Sequence, residues 1–151
     1  MHPNEIIGGP YLAVAVFSEK VLRETDNVLS LIRIVDRWTI AGPTETMPES
    51  VIQTNLVVTM KSGMFRGPSQ IVITPTTPSG VQMQAMRVPA NFEGDDDRGV
   101  AVHFPLAFPV REPGIYWFDI SVNGQAQTKV PMRVIYQSVG VQMPIPGMNP
   151  G

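Results

Sequence analysis

Apolar and polar residues alternate along most of this chain in short runs, and the repeat is two residues, as in half-buried strands. Residues 12–17 set Leu12, Val14 and Val16 against Ala13, Ala15 and Phe17. Residues 28–40 form the longest β-rich run, with Val28, Ile32, Ile34, Trp38 and Ile40 on the face expected to meet a core. Asp36 interrupts that face, so either a bulge turns its carboxylate outward or it is buried with Arg33 or Arg37. Residues 51–61 point Ile52, Leu56, Val58 and Met60 inward, and residues 69–74 do the same with Ile71 and Ile73. Residues 81–88 are read as a strand without a steady phase, because Met83, Ala85, Met86 and Val88 keep no single period. Residues 100–108 place Val100, Val102, Phe104, Leu106 and Phe108 on one face; Pro105 has no N–H to donate, which puts this strand at an edge or on a bulge. The charged residues 18–27 read as a connection with room for one helical turn capped by Ser18. No 3.6-residue period lasts ten residues, so no βαβ unit is predicted.

The strongest local signal is in residues 113–136. Two alternating runs flank Asn123-Gly124, and an Asn-Gly between such runs marks a β-hairpin. A strict two-residue loop would set Val122 against Gln125, Ile120 against Gln127 and Phe118 against Lys129. That opposes core residues to polar ones, because a slip of one residue turns a whole strand over. A three-residue loop, Asn123-Gly124-Gln125, or a bulge near Gly124, is therefore expected, pairing Val122 with Ala126, Ile120 with Thr128, Phe118 with Val130 and Tyr116 with Met132. In that register Tyr116, Phe118, Ile120 and Val122 face the core, and Trp117, Asp119 and Ser121 face outward.

A chain of 151 residues fits one domain with a sizeable core. The 15 prolines and 13 glycines punctuate the apolar runs as the turns of a many-stranded sandwich would. Three segments follow: an irregular lead-in at residues 1–10, a β-sandwich at 11–136, and a Pro-, Gly- and Met-rich tail at 137–151. With a net charge of −2 and no basic stripe, the footprint of a nucleic-acid binder is missing. The absence of cysteine excludes disulfides, thiolate metal sites and cysteine nucleophiles. The apolar run at 11–17 is far shorter than the ~20 residues of a spanning helix and lacks signal-peptide flanks, so no membrane insertion and a cytoplasmic location are expected.

Candidate chemistry is sparse. Of the two histidines, His2 is in the lead-in and His103 sits at an outward position without a marked acid or nucleophile beside it. No catalytic constellation and no cofactor site are predicted, and the chain reads as a non-enzyme. The acidic run 91–99 gathers Glu93, Asp95, Asp96 and Asp97, oxygen donors of the kind that hold Ca²⁺, but it lacks the frame and closing glutamate of an EF-hand. The plainer reading is a solvated acidic turn that keeps a sheet edge soluble. Trp117, pointing outward, is expected to be covered by the tail or by residues 18–27 or to make a protein contact, with a sugar platform as the alternative. In the tail, Met143, Ile145 and Met148 are apolar anchors suited to a groove on another subunit.

Residues 15–21 (Ala-Val-Phe-Ser-Glu-Lys-Val), the leucine-serine-leucine strand at 29–37, and the Pro-Gly-x-Tyr-x-Phe of residues 113–118 leading to Asn123-Gly124 together resemble an uncharacterised bacterial family of single-domain β-sandwich proteins. The resemblance covers most of residues 11–136 and implies an immunoglobulin-like or C2-like fold with no assigned activity. The expectation is therefore an all-β, antiparallel β-sandwich of seven or eight strands. Its expected role is a non-enzymatic interaction or structural module that binds a protein partner or self-associates as a homo-oligomer. The alternative is a sandwich that binds a glycan or calcium through Trp117 or residues 91–99.

Overall fold

The computed structural model describes residues 9–94 and 98–140. Among them the chain forms nine strands: β1 Tyr11–Arg23, β2 Leu29–Ile34, β3 Arg37–Gly42, β4 Ser50–Lys61, β5 Arg66–Thr76, β6 Met86–Glu93, β7 Gly99–Val110, β8 Gly114–Val122 and β9 Gln125–Ser138. They form a four-stranded sheet in the order β2-β1-β4-β7 and a five-stranded sheet in the order β3-β9-β8-β5-β6. Every neighbouring pair is antiparallel except β3 with β9. The β-sandwich expected from the alternation is thus present, with nine strands in place of seven or eight. The neighbours β4–β7 on one sheet and β9–β8–β5–β6 on the other follow the B–E and G–F–C–C′ scheme of immunoglobulin-type sandwiches. A second mark of that fold is Tyr116, near the start of β8, whose hydroxyl donates to Glu112 O at 2.8 Å. Strand β1 takes the place of strand A beside β4, and β2, on its outer edge, is the addition to the scheme.

The core follows directly from the two-residue period. On β4, Ile52, Leu56, Val58 and Met60 are all buried, and on β8 so are Tyr116, Phe118, Ile120 and Val122. Aromatic rings from the two sheets alternate through the middle. Trp38 of β3 meets Phe17 of β1 at 5.5 Å between ring centres, and Phe17 meets Phe118 of β8 at 5.1 Å. Phe118 then meets Phe108 of β7 at 5.0 Å, and Phe108 meets Tyr116 at 5.7 Å. Most of these pairs are edge-to-face, the arrangement the ring quadrupole favours.

The hairpin departs from the expected three-residue loop at its tip, where Val122 does not pair with Ala126, and keeps the expected core register beyond it. Its tip is a two-residue turn, with φ of 51° at Asn123 and 81° at Gly124, and Val122 does face Gln125. The register then shifts: Ser121 pairs with Ala126 but Ile120 pairs with Thr128, so Gln127 is the extra residue. Beyond it Phe118 pairs with Val130 and Tyr116 with Met132, as core alternation requires. The bulge lies on β9 instead of at the glycine. Both turn residues at positive φ give the loop its own twist-matched geometry, and the correction is made one step later in the strand.

Four local expectations are corrected. Residues 18–27 hold no helical turn; β1 continues to Arg23 and pairs back with β2, Lys20 opposite Ile32. Ser18 caps nothing, and its Oγ lies 2.9 Å from Lys20 O and 2.8 Å from Ile32 O. Residues 28–40 are two strands in different sheets, not one. The chain crosses between sheets at Val35 and Asp36, so Ile32 and Ile34 are 42% and 64% exposed while Trp38 packs on the core. Asp36 lies outward at the crossing, its carboxylate 3.6 Å from Arg37 Nε and its backbone carbonyl accepting from Arg133 N. The strand placed at 81–88 is shifted: β6 begins at Met86 and carries residues 91–93, assigned above to the acidic run, with Phe92 only 1% exposed. Finally, β9 runs to Ser138, two residues into the segment read as tail, because β3 pairs it as far as Gly42↔Ser138.

Two consequences are measurable. Phe118→Ala should destabilise the domain by about 3–5 kcal/mol, since it removes a fully buried ring that meets rings of β1 and β7 in the opposite sheet, and chemical denaturation reads the loss. Gly99→Ala should cost roughly 1–3 kcal/mol by the same measurement, because a Cβ there would lie 1.9 Å from Met60 O, a backbone atom that cannot swing aside.

Candidate functional site

Strand β8 presents Trp117 to solvent because its inward positions are fully committed. Tyr116, Phe118, Ile120 and Val122 are each 2% exposed or less, which fixes Ile115, Trp117, Asp119 and Ser121 on the outer face. The mount is rigid. β8 is hydrogen-bonded on one side to β9 and on the other to β5, so Trp117 sits between Pro131 and Thr76 in the cross-strand register. The Lys129 ammonium lies 5.4 Å from the centre of the Trp117 ring, within range of a cation–π contact. With that cover, Trp117 remains 37% exposed.

The acidic run is not gathered into a site among the described residues. Glu93 ends β6 and its carboxylate pairs with the Arg98 guanidinium. Arg66 Nε donates to the Glu93 carbonyl at 3.0 Å. Asp95, Asp96 and Asp97 lie outside the described residues, as do the tail anchors Met143, Ile145 and Met148. No group of three or more His, Cys, Asp or Glu side chains positioned for a metal ion occurs among the described residues.

His103 has a structural explanation. Its Nε2 is 2.6 Å from Asn55 Oδ1, and the Asn55 amide nitrogen donates to the carbonyls of Ser18 and Glu19 at 3.1 and 3.0 Å. Because that amide nitrogen faces two carbonyls, Oδ1 must accept, and the histidine proton therefore sits on Nε2. The pair closes the point where β1 parts from β4, whose mutual register ends at Ser18↔Asn55. It also covers Val57, which faces outward between Val16 and His103 yet is only 3% exposed.

One concavity had no signal in the sequence. At the end of the sandwich, Val81, Met83, Pro109 and Tyr116 floor a groove of about 400 Å³, with Arg111 and Glu49 on its rim 3.5 Å apart. Its polar groups are already engaged. Glu112 Oε1 accepts from Ser79 N and Oγ, and the Tyr116 hydroxyl accepts from the backbone N–H groups of Arg111 and Glu112. These partners come from three loops, which no spacing along the chain could bring together.

No protein-family model matches this chain, and no curated protein does. Among solved structures, an immunoglobulin-like protein from Pseudomonas aeruginosa matches with a TM-score of 0.43 and 10% identity, over 85% of this chain and 98% of that one. No helix of the described residues is long and apolar enough to cross a membrane.

With Glu93 tied to Arg98, millimolar Ca²⁺ should leave the melting temperature unchanged. A rise in thermal shift or calorimetry would show a native-state site, since a ligand bound only by the folded state must stabilise it.

Proposed function

We propose that this domain is a non-enzymatic interaction module that binds protein, with the outer face of the five-stranded sheet around Trp117 as its contact surface. One observation carries this reading: a tryptophan 37% exposed on a strand that is hydrogen-bonded on both sides. A large aromatic held rigidly offers contact area with little ordering cost, which is why such residues anchor interfaces. Its surroundings are mixed, with Ile115 and Pro131 apolar and Asp119, Lys129 and Arg133 charged, as at the centre and rim of a protein contact. The ammonium near the ring favours that reading over a sugar platform, because it narrows the ring surface open to stacking.

Photo-crosslinking tests the proposal. A benzophenone side chain at position 117, in the cells that make the protein, should give discrete protein adducts. The same group at Gln53, exposed on the opposite sheet, should not. Adducts that are the same at both positions, or missing at both, overturn it.

A further inference from the structure

The two sheets do not protect their edges equally. On β7, the Arg98 carbonyl accepts from Ser62 N and Oγ, so even positions turn their backbone toward β4 and odd positions toward the open side. Pro105 and Pro109 are odd, and each removes an outward donor. On β9, Arg133 N donates to Asp36 O, so odd positions face β3; Pro131 has the same parity just where β3 no longer reaches. β6 carries Pro89 midway. β3 has no proline, but none of its large apolar side chains is exposed.

β2 differs on both counts. Val28 O accepts from Glu24 N and Ile32 O accepts from the Ser18 hydroxyl, so even positions face β1. The backbone groups of Leu29 and Leu31 therefore face the open edge, and no proline interrupts them. Leu22, Val28, Ile32 and Ile34 are 39%, 58%, 42% and 64% exposed. β1 leaves β4 after Ser18↔Asn55, so the hairpin of residues 19–34 stands out from the sandwich, and none of its residues is buried. A two-stranded ribbon without a third strand or a covered face is marginal in water.

We infer that the open edge of β2 pairs antiparallel with β2 of a second copy of this chain, joining two four-stranded sheets across a two-fold axis. This rests on the reading of the domain as a protein-binding module but uses a surface away from Trp117. Self-pairing fits the ribbon's chemistry. Residues 19–34 hold three acidic side chains (Glu19, Glu24, Asp26) and three basic ones (Lys20, Arg23, Arg33), so two copies meet without net repulsion. A two-fold axis at Leu31 sets Ser30 beside Ile32 of the second copy and opposes no like charges within the strand. It also brings Ser30 and Ile32 of both copies, which share one parity within the regular part of the strand, onto one face, with the exposed Val28 and Ile34 at its two ends. The edges blunted by proline, and the β3 edge without exposed large apolar side chains, then leave this one as the route of association, which keeps assembly closed at two copies instead of growing along the sheet.

Sedimentation of the full chain across a concentration series tests the pairing. The unchanged protein should shift from monomer toward dimer as concentration rises. Leu31→Pro removes an outward donor and no bond to β1, and Ile32→Lys places a charge on the shared face. Each should weaken dimerisation by roughly tenfold or more, with the far-ultraviolet spectrum retained. If the proline variant loses its fold, the lysine variant still decides. A monomer at every concentration, or a dimer that both variants leave intact, overturns the pairing. So does a monomer that dimerises only once residues 141–151 are removed, which assigns the edge to the chain's own tail. None of these outcomes affects the adducts expected at position 117, so the two readings fail separately.

Discussion

Five aromatic rings passing alternately from sheet to sheet hold this sandwich together. Trp38, Phe17, Phe118, Phe108 and Tyr116 come from four strands, and each contact crosses the space between the layers. Each such pair contributes about 0.5–1.5 kcal/mol beyond the burial of its area. Geometry matters as much as energy. A ring placed edge-on between two others fixes how far the sheets can slide, so the outward faces are fixed with it. The position of Trp117 in solvent is the other side of Phe118 and Tyr116 in the core.

That dependence explains what the sequence made legible. Where one face of a strand must be buried, alternation names the buried residues, and β4, β7 and β8 show the inward sets that their periodicity requires. The hairpin register follows for the same reason, since only the pairing of Tyr116 with Met132 keeps both strands facing the core. The position of the bulge was not legible. Turn geometry favoured two residues at the tip, the core demanded a shift, and nothing in Gln125-Ala126-Gln127 says which residue takes it up.

The failures share a cause. In residues 19–34 neither face is buried, so alternation carries no reliable phase and a charged ribbon reads as a loop or a helical turn. The sheet crossing at Val35 and Asp36 was hidden because both strands continue the same even-numbered apolar pattern, although one meets solvent and the other the core. At the candidate site, Trp117 was legible from parity alone. The Lys129 cover depends on a diagonal across two strands, and the groove floored by Val81 and Tyr116 depends on loops far apart in the chain. His103 was legible as an outward residue, but its bond to Asn55 depends on where β1 diverges from β4.

The parallel pairing of β3 with β9 has a bearing on how the chain is made. Among the described residues, β3 has β9, the last of the nine strands, as its one hydrogen-bonded neighbour, Arg37 meeting Arg133 and Gly42 meeting Ser138. A chain growing from its amino end therefore holds β3, and Trp38 with it, without a sheet to join until almost every other strand has been synthesised. Closure of such distant ends is slow, because loop entropy must be overcome before the contact gives anything back. The last strand acts as the latch of the domain. Until it arrives, the segment that spans both sheets is the part of the nascent chain most in need of shielding from its neighbours.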